Sequence, residues 1–264
     1  MIDPTKRISG LMRRVRQNRI PPSQQIVEET LVRLGLVHGT ISPEQVISGF
    51  NGHLRSLWEE TLQTLESYEE RAYSTGIPEE LIREFPQDFE TADREATQRG
   101  FHAGFIRLFG DLYPWFRRAF LSVSQSRMTR GGKDFELQIE GLLELGGIPF
   151  NRQEARNRTD LILPTLELHQ QNRNISMVVS VKRTLRERWA EVAEELFNLR
   201  SPNVFLFTAD EKVTDGHVAQ ICNQYNIYLV LWDEVKTLRF PDEPLVLGYT
   251  EWATERLTQL RAWW

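Results

Sequence analysis

Cysteine is nearly missing from this chain, with Cys222 the only one in 264 residues. One thiol excludes an internal disulfide and a Cys-type zinc site, and it fits a reducing compartment. The five histidines include no HExxH pair. Long apolar runs are missing too. The longest, "NVFLF" and "IYLVLW", fall far short of the roughly 18 residues that a membrane span needs. The first twenty residues are charged where a signal peptide would be apolar. These absences lead to the expectation of a cytoplasmic, bacterial or archaeal protein with no membrane association. Lysine is scarce as well, with five (positions 6, 133, 182, 212 and 236) among 32 basic residues, so arginine carries most of the positive charge. A net charge of −5 gives no bulk sign of a polyanion partner. Arginine, however, suits bidentate contact with phosphates and guanine edges, although GC-rich genomes also favour it.

What is present divides in two. The first half reads as helices: Ser42, Pro43 and Gln45 form a capping box, one helix is expected from about His53 to Tyr73, and another from Pro78. An apolar helical stretch follows, broken near Gly110 to Pro114. After Ser126 come the helix "GKDFELQIEGLLELGG" and four branched, strand-like runs, "TDLILP", "ISMVVSVK", "NVFLFTA" and "IYLVLW", with helical segments between the later ones. The expected fold class is therefore α/β, a mixed sheet flanked by helices behind a helical N-terminal half. Residues 1–125 are assigned to a helical N-terminal region for dimerisation and DNA contacts, and residues 126–264 to the core. The last helix, with Ala253, Leu257, Leu260 and Trp264 on one face, packs on the core or on a partner subunit.

Lys182 ends a largely apolar strand, a poor place for a solvated lysine. Asp160 begins the preceding strand, and the polar link "QQNRN" lets the two strands fold back as neighbours, bringing Asp160 and Lys182 to the same sheet end. In the following helix Trp189, Val192, Leu196 and Leu199 define the buried face; Glu195 lies about 80° from its centre, whereas Glu194 and Glu187 point away. Two carboxylates beside one lysine suit a Mg²⁺ ion and a water aimed at a phosphodiester. A plain Asp160–Lys182 salt bridge is the competing explanation.

These residues resemble the PD-(D/E)xK nucleases, and among them the type II restriction endonucleases of the EcoRII, SsoII and NgoMIV branch. Most of that superfamily carries an acid two residues before the lysine, where this chain has Ser180 in "SVK". The branch supplies it instead from the next helix, about 13 residues after the lysine, where Glu195 falls. Thr159 stands where the motif has proline. The resemblance implies Asp160 and Glu195 as metal ligands, a further metal contact from the Val181 carbonyl, and Lys182 as the catalytic lysine. It implies that "RER", Arg186, Glu187 and Arg188, enters the major groove to read G·C pairs, arginine donating to guanine and glutamate accepting from cytosine. Without the resemblance, the same run reads as a solvated helix start.

The resemblance also covers "GGKDFELQIEGLL", in which Glu136 is ranked ahead of Glu140 as a carboxylate that approaches or orders the site, against an exposed pair. Relatives that recognise CCNGG or CCWGG flip the central nucleotides onto a side chain of the N-terminal half; Arg55 and Trp58, one helical turn apart, are the candidates here, against a core role for Trp58. The basic start, "TKRISGLMRRVRQNR", is either an arm over the phosphates or a solvated tail. The expectation is a Mg²⁺-dependent, homodimeric endonuclease cutting double-stranded DNA at a short CC/GG palindrome, with a matching methyltransferase in the host. A structure-dependent repair nuclease and a non-catalytic DNA-binding module are the alternatives.

Overall fold

The structure is a computed structural model, and it describes residues 4–152, 159–185, 193–194, 196–197 and 201–264. The chain divides into two compact units, one of residues 1–26 and 62–130, the other of 27–61 and 131–264. Residues 27–61, which the sequence reading put in the N-terminal region, thus cluster with the second unit. The reason is their apolar face: Val46, Phe50, Leu54 and Leu57 recur at helical spacing and are fully buried in the same core as the sheet.

The first unit is helical. Helix α1 (Pro4–Arg19) carries Ile8, Leu11, Met12 and Val15 on one buried face, packed with Leu81 and Ala119. This segment is a packed helix rather than a solvated tail, because its apolar residues repeat every three and four positions. Helices α2 (Ser23–Arg33) and α3 (Pro43–Ser48) follow, and α3 starts with the expected Ser42–Gln45 capping box. Helix α4 runs unbroken from Phe50 to Glu84 with Pro78 inside it, and the next helix, α5, starts at Pro86 and ends at Arg99. The expected stop at Gly76 is a close approach instead: a Cβ there would lie 2.9 Å from Val15 Cγ1. Helix α6 (Phe101–Leu145) also absorbs its proline, Pro114. The carbonyl that the proline ring crowds belongs to Gly110, where the chain has the most backbone freedom.

The second unit holds a six-stranded sheet in the order β1 (Asn151–Arg152), β2 (Leu161–Leu163), β3 (Met177–Lys182), β4 (Val204–Thr208), β5 (Tyr228–Leu231) and β6 (Val246–Gly248). The first three strands are antiparallel neighbours, and β3 to β6 run parallel. The mixed sheet is as expected, with β1 and β6 too short for a periodicity to reveal. Strands β2 to β5 are almost wholly buried, which is why they read as continuous apolar runs rather than alternating ones. The link from β2 to β3 is not a simple turn: it contains α7 (Leu166–Gln171), capped by Thr165, and a single 3-10 turn at Arg173–Ile175. The end of α6 closes on Gly147 at φ 63°. Its Phe135, Ile139, Leu142 and Leu143 belong to the sheet's core. The C-terminal residues Ala253 and Leu257 are buried there too, and Trp264 donates to the Ile175 carbonyl at 2.7 Å. No helix among the described residues is long and apolar enough to cross a membrane.

Candidate active site

Strand pairing sets the site. Leu161 opposes Val179 in the β2–β3 ladder, so Asp160, one residue earlier, stands opposite Ser180 where the pairing ends, its amide donating to the Val179 carbonyl at 3.0 Å. The Asp160 Oδ2 accepts three hydrogen bonds: from Ser180 Oγ at 3.1 Å, from the Val181 amide at 2.6 Å, and from Lys182 Nζ at 3.1 Å. Lys182 Nζ also donates to the Val181 carbonyl at 3.0 Å. The structure therefore brings Asp160, Val181 and Lys182 together at the C-terminal end of β3, with the ammonium lodged between a carboxylate and a carbonyl oxygen.

Those two oxygens are hard donors of the kind that bind Mg²⁺, and a positive charge already bridges them. Among the described residues, no three His, Cys, Asp or Glu side chains gather closely enough to hold a metal by themselves. Glu195 lies outside the described residues, as do Arg186, Glu187 and Arg188; on either side of Glu195, Ala193, Glu194, Leu196 and Phe197 are helical, with Ala193 and Leu196 buried and Glu194 exposed.

Glu136 is half-buried and pairs with Lys133 one turn back, at 3.0 Å. Glu140 is not an exposed residue: it is buried beneath Arg152, whose guanidinium lies 2.7 Å from Oε2 in an ion pair that lacks hydrogen-bond geometry. Burial pushes the Glu140 carboxyl up, with Arg152 and Lys133 opposing. Arg55 and Trp58 belong to one pocket of about 620 Å³ with Arg183, Asp210, Lys212 and Trp232. The Arg55 guanidinium sits 4.2 Å over the Trp232 ring and pairs with Glu211 at 2.5 Å and with Glu234. Burial opposes its charge, yet the two carboxylates outweigh that and raise its pKa. The half-buried Trp58 ring makes an edge-to-face contact with Phe135, and the Arg183 guanidinium lies 5.1 Å over it. Trp58 thus has a core edge and a pocket face at once. Gly131 leaves room for Arg183, since a Cβ there would come within 2.0 Å of its Nη1.

Two contributors escaped the sequence reading. Trp232 read only as the end of a strand, and Asp210 was not singled out. Asp210 accepts from the Leu185 amide at 2.9 Å, a contact between segments 25 residues apart. Only a guess at the parallel register of β3 and β4 would have found it.

A family model described as EcoRII C terminal matches residues 89–243. The type II restriction enzyme SsoII of Shigella sonnei is 29% identical over 154 residues, 54% of this chain and 50% of the relative. The chain thus spans about half the length of the curated relative it matches. Among solved structures, metal-depleted Ecl18kI in complex with uncleaved DNA superposes with a TM-score of 0.84 at 20% identity, covering 99% of this chain and 86% of the other. The PspGI–substrate DNA complex gives 0.62 at 17% identity, covering 94% and 96%. These structural likenesses establish the restriction-endonuclease fold.

Proposed function

The chain belongs to the EcoRII C-terminal family, and on that premise we propose that it is a type II restriction endonuclease, homodimeric and Mg²⁺-dependent, that cuts double-stranded DNA at a CC/GG palindrome of the CCNGG or CCWGG kind. The observation that carries this reading is the arrangement of Asp160, Val181 and Lys182 at the end of β3. A bound Mg²⁺ on Asp160, Glu195 and the Val181 carbonyl would supply Lewis-acid polarisation of the scissile phosphate. The protein's own part is positional. Hydrogen bonds from Ser180 and the Val181 amide fix one Asp160 oxygen and orient the other. Lys182 holds its ammonium where an attacking hydroxide and the phosphate both carry negative charge. Glu136, paired with Lys133 one turn back on its own helix, would order the site from α6.

In this reading Arg186, Glu187 and Arg188 donate to guanine and accept from cytosine in the major groove. The pocket of Arg55 and Trp58 takes a flipped central nucleotide; aromatic rings and guanidinium groups that line one pocket suit a base. A palindrome calls for two-fold symmetry. Residues 1–125 would supply the dimer contacts, a reading supported by the exposed aromatic row Phe101, Phe105 and Phe109 on α6, each ring stacked on the next.

The test is plasmid DNA with Mg²⁺ and mapping of the cut ends, beside Lys182→Ala. Discrete fragments ending at one short CC/GG palindrome, with a variant that binds and does not cut, are expected. Random nicking would point to a repair nuclease, and binding without cleavage by either protein would sink the nuclease reading. Glu195→Ala should abolish cleavage while Glu194→Ala, on the exposed side, should not.

A further inference from the structure

Asp210 follows the end of β4, and three contacts make its backbone rigid. The Tyr249 hydroxyl donates to the Thr208 carbonyl at 3.1 Å, the Trp232 indole donates to the Ala209 carbonyl at 3.1 Å, and the Asp210 amide donates to Thr208 Oγ1 at 3.1 Å. Tyr249, Trp232 and Thr208 are all buried. From this base the two carboxylate oxygens point different ways: Oδ1 accepts from the Lys212 amide at 2.9 Å, and Oδ2 accepts from the Leu185 amide at 2.9 Å. Leu185 is itself buried, three residues after Lys182 and one before Arg186. Because Lys182 pairs with Thr208 in the parallel ladder, the chemical lysine and the Asp210 anchor share one strand register.

We propose that Asp210 is a positioning residue that fixes the backbone at Leu185, three residues after Lys182 and one before the residues read as base contacts, so that cleavage depends on correct base reading. The inference rests on the reading of those residues as base contacts. A charged acceptor on a backbone amide is among the stronger hydrogen bonds, and a carboxylate at this point satisfies an amide at what the sequence marks as a helix start. Between Lys182 and Arg186 the backbone has three residues in which to slip. The Leu185 amide is where the structure stops that slip. Losing the anchor would free the backbone at Leu185 while leaving the Asp160–Lys182 contact in place, which predicts a larger loss of kcat/KM on the cognate duplex than on altered ones.

The experiment measures kcat and KM of the full protein on a cognate duplex and on duplexes with one G·C pair changed. Asp210→Ala is expected to lower the cognate-to-altered ratio of kcat/KM by ten-fold or more. Asp210→Asn keeps one of the two acceptors and sets its NH2 against the other amide, so it should give a ratio between those of wild type and Asp210→Ala. Asp210→Glu keeps the charge, displaces the acceptor by one methylene, and should fold and lose discrimination; it carries the test if Asp210→Ala does not fold. Full discrimination in Asp210→Glu, or equal losses on all duplexes in Asp210→Ala, overturns the proposal. If the wild type itself cuts without discrimination, the restriction reading fails instead, so the two failures are distinguishable.

Discussion

Ser180 stands where most PD-(D/E)xK nucleases carry an acid, and Ser180→Asp puts the geometry of the site to a quantitative test. The serine is fully buried and its Oγ is 3.1 Å from Asp160 Oδ2. A second carboxylate there sets two like charges about 4 Å apart, which at an effective dielectric constant of about 20 costs about 4 kcal/mol. Loss of the serine's hydrogen bond to a charged acceptor adds ~1.5 kcal/mol. With each kcal/mol worth about 2 °C or more in a chain of this size, Tm should fall by about 10 °C at neutral pH without divalent ions. The pH dependence has a definite sign. The introduced carboxyl has a folded pKa raised above its unfolded value, so its penalty is absent below the unfolded value of about 4 and grows as pH rises toward the folded one. Melts at pH 4 should fall below wild type only by the few degrees that the lost hydrogen bond accounts for, and melts at pH 7.5 by the full amount. Mg²⁺ should recover part of the loss, about 2.7 kcal/mol at a hundred times Kd, because two carboxylates hold a hard cation. Differential scanning fluorimetry with EDTA and with Mg²⁺ reads all three effects. A Ser180→Asp variant that melts within 2 °C of wild type at pH 7.5 in EDTA would refute the close approach of Ser180 to Asp160, since the repulsion follows from that distance alone.

Two other predictions use the pocket and the thiol. Arg55→Ala removes the guanidinium stacked on Trp232 and frees Glu211 and Glu234; with 2-aminopurine at the central position of the site, the rise in fluorescence on binding should fall at least several-fold, and an unchanged rise would remove Arg55 from the flipping role. Burial pushes the Cys222 thiol up to about 12, so it should react with a thiol reagent at pH 8 only after denaturation, and prompt labelling of the native protein would contradict the packing around it.

The sequence by itself determined the order of the four central strands, β2 to β5, because each is an apolar branched run bounded by polar punctuation. It also identified Asp160 and Lys182 as residues at one sheet end, since a strand that is buried along its length leaves a terminal lysine with little choice but a carboxylate partner. The role proposed for "RER" came from resemblance, because a charged run has no periodicity that separates groove contact from solvation. Only the tertiary structure decided the rest. Pro78 and Pro114 looked like breaks, yet neighbouring residues allow the helices to run on. Residues 27–61 looked like part of the N-terminal half, yet their apolar face belongs to the sheet's core. Trp232 joins Arg55 and Trp58 from a distant segment, as Asp210 joins Leu185. Local propensity acts over a few residues, whereas these contacts depend on which strands lie side by side and in what register, and that is settled by packing the whole sheet at once.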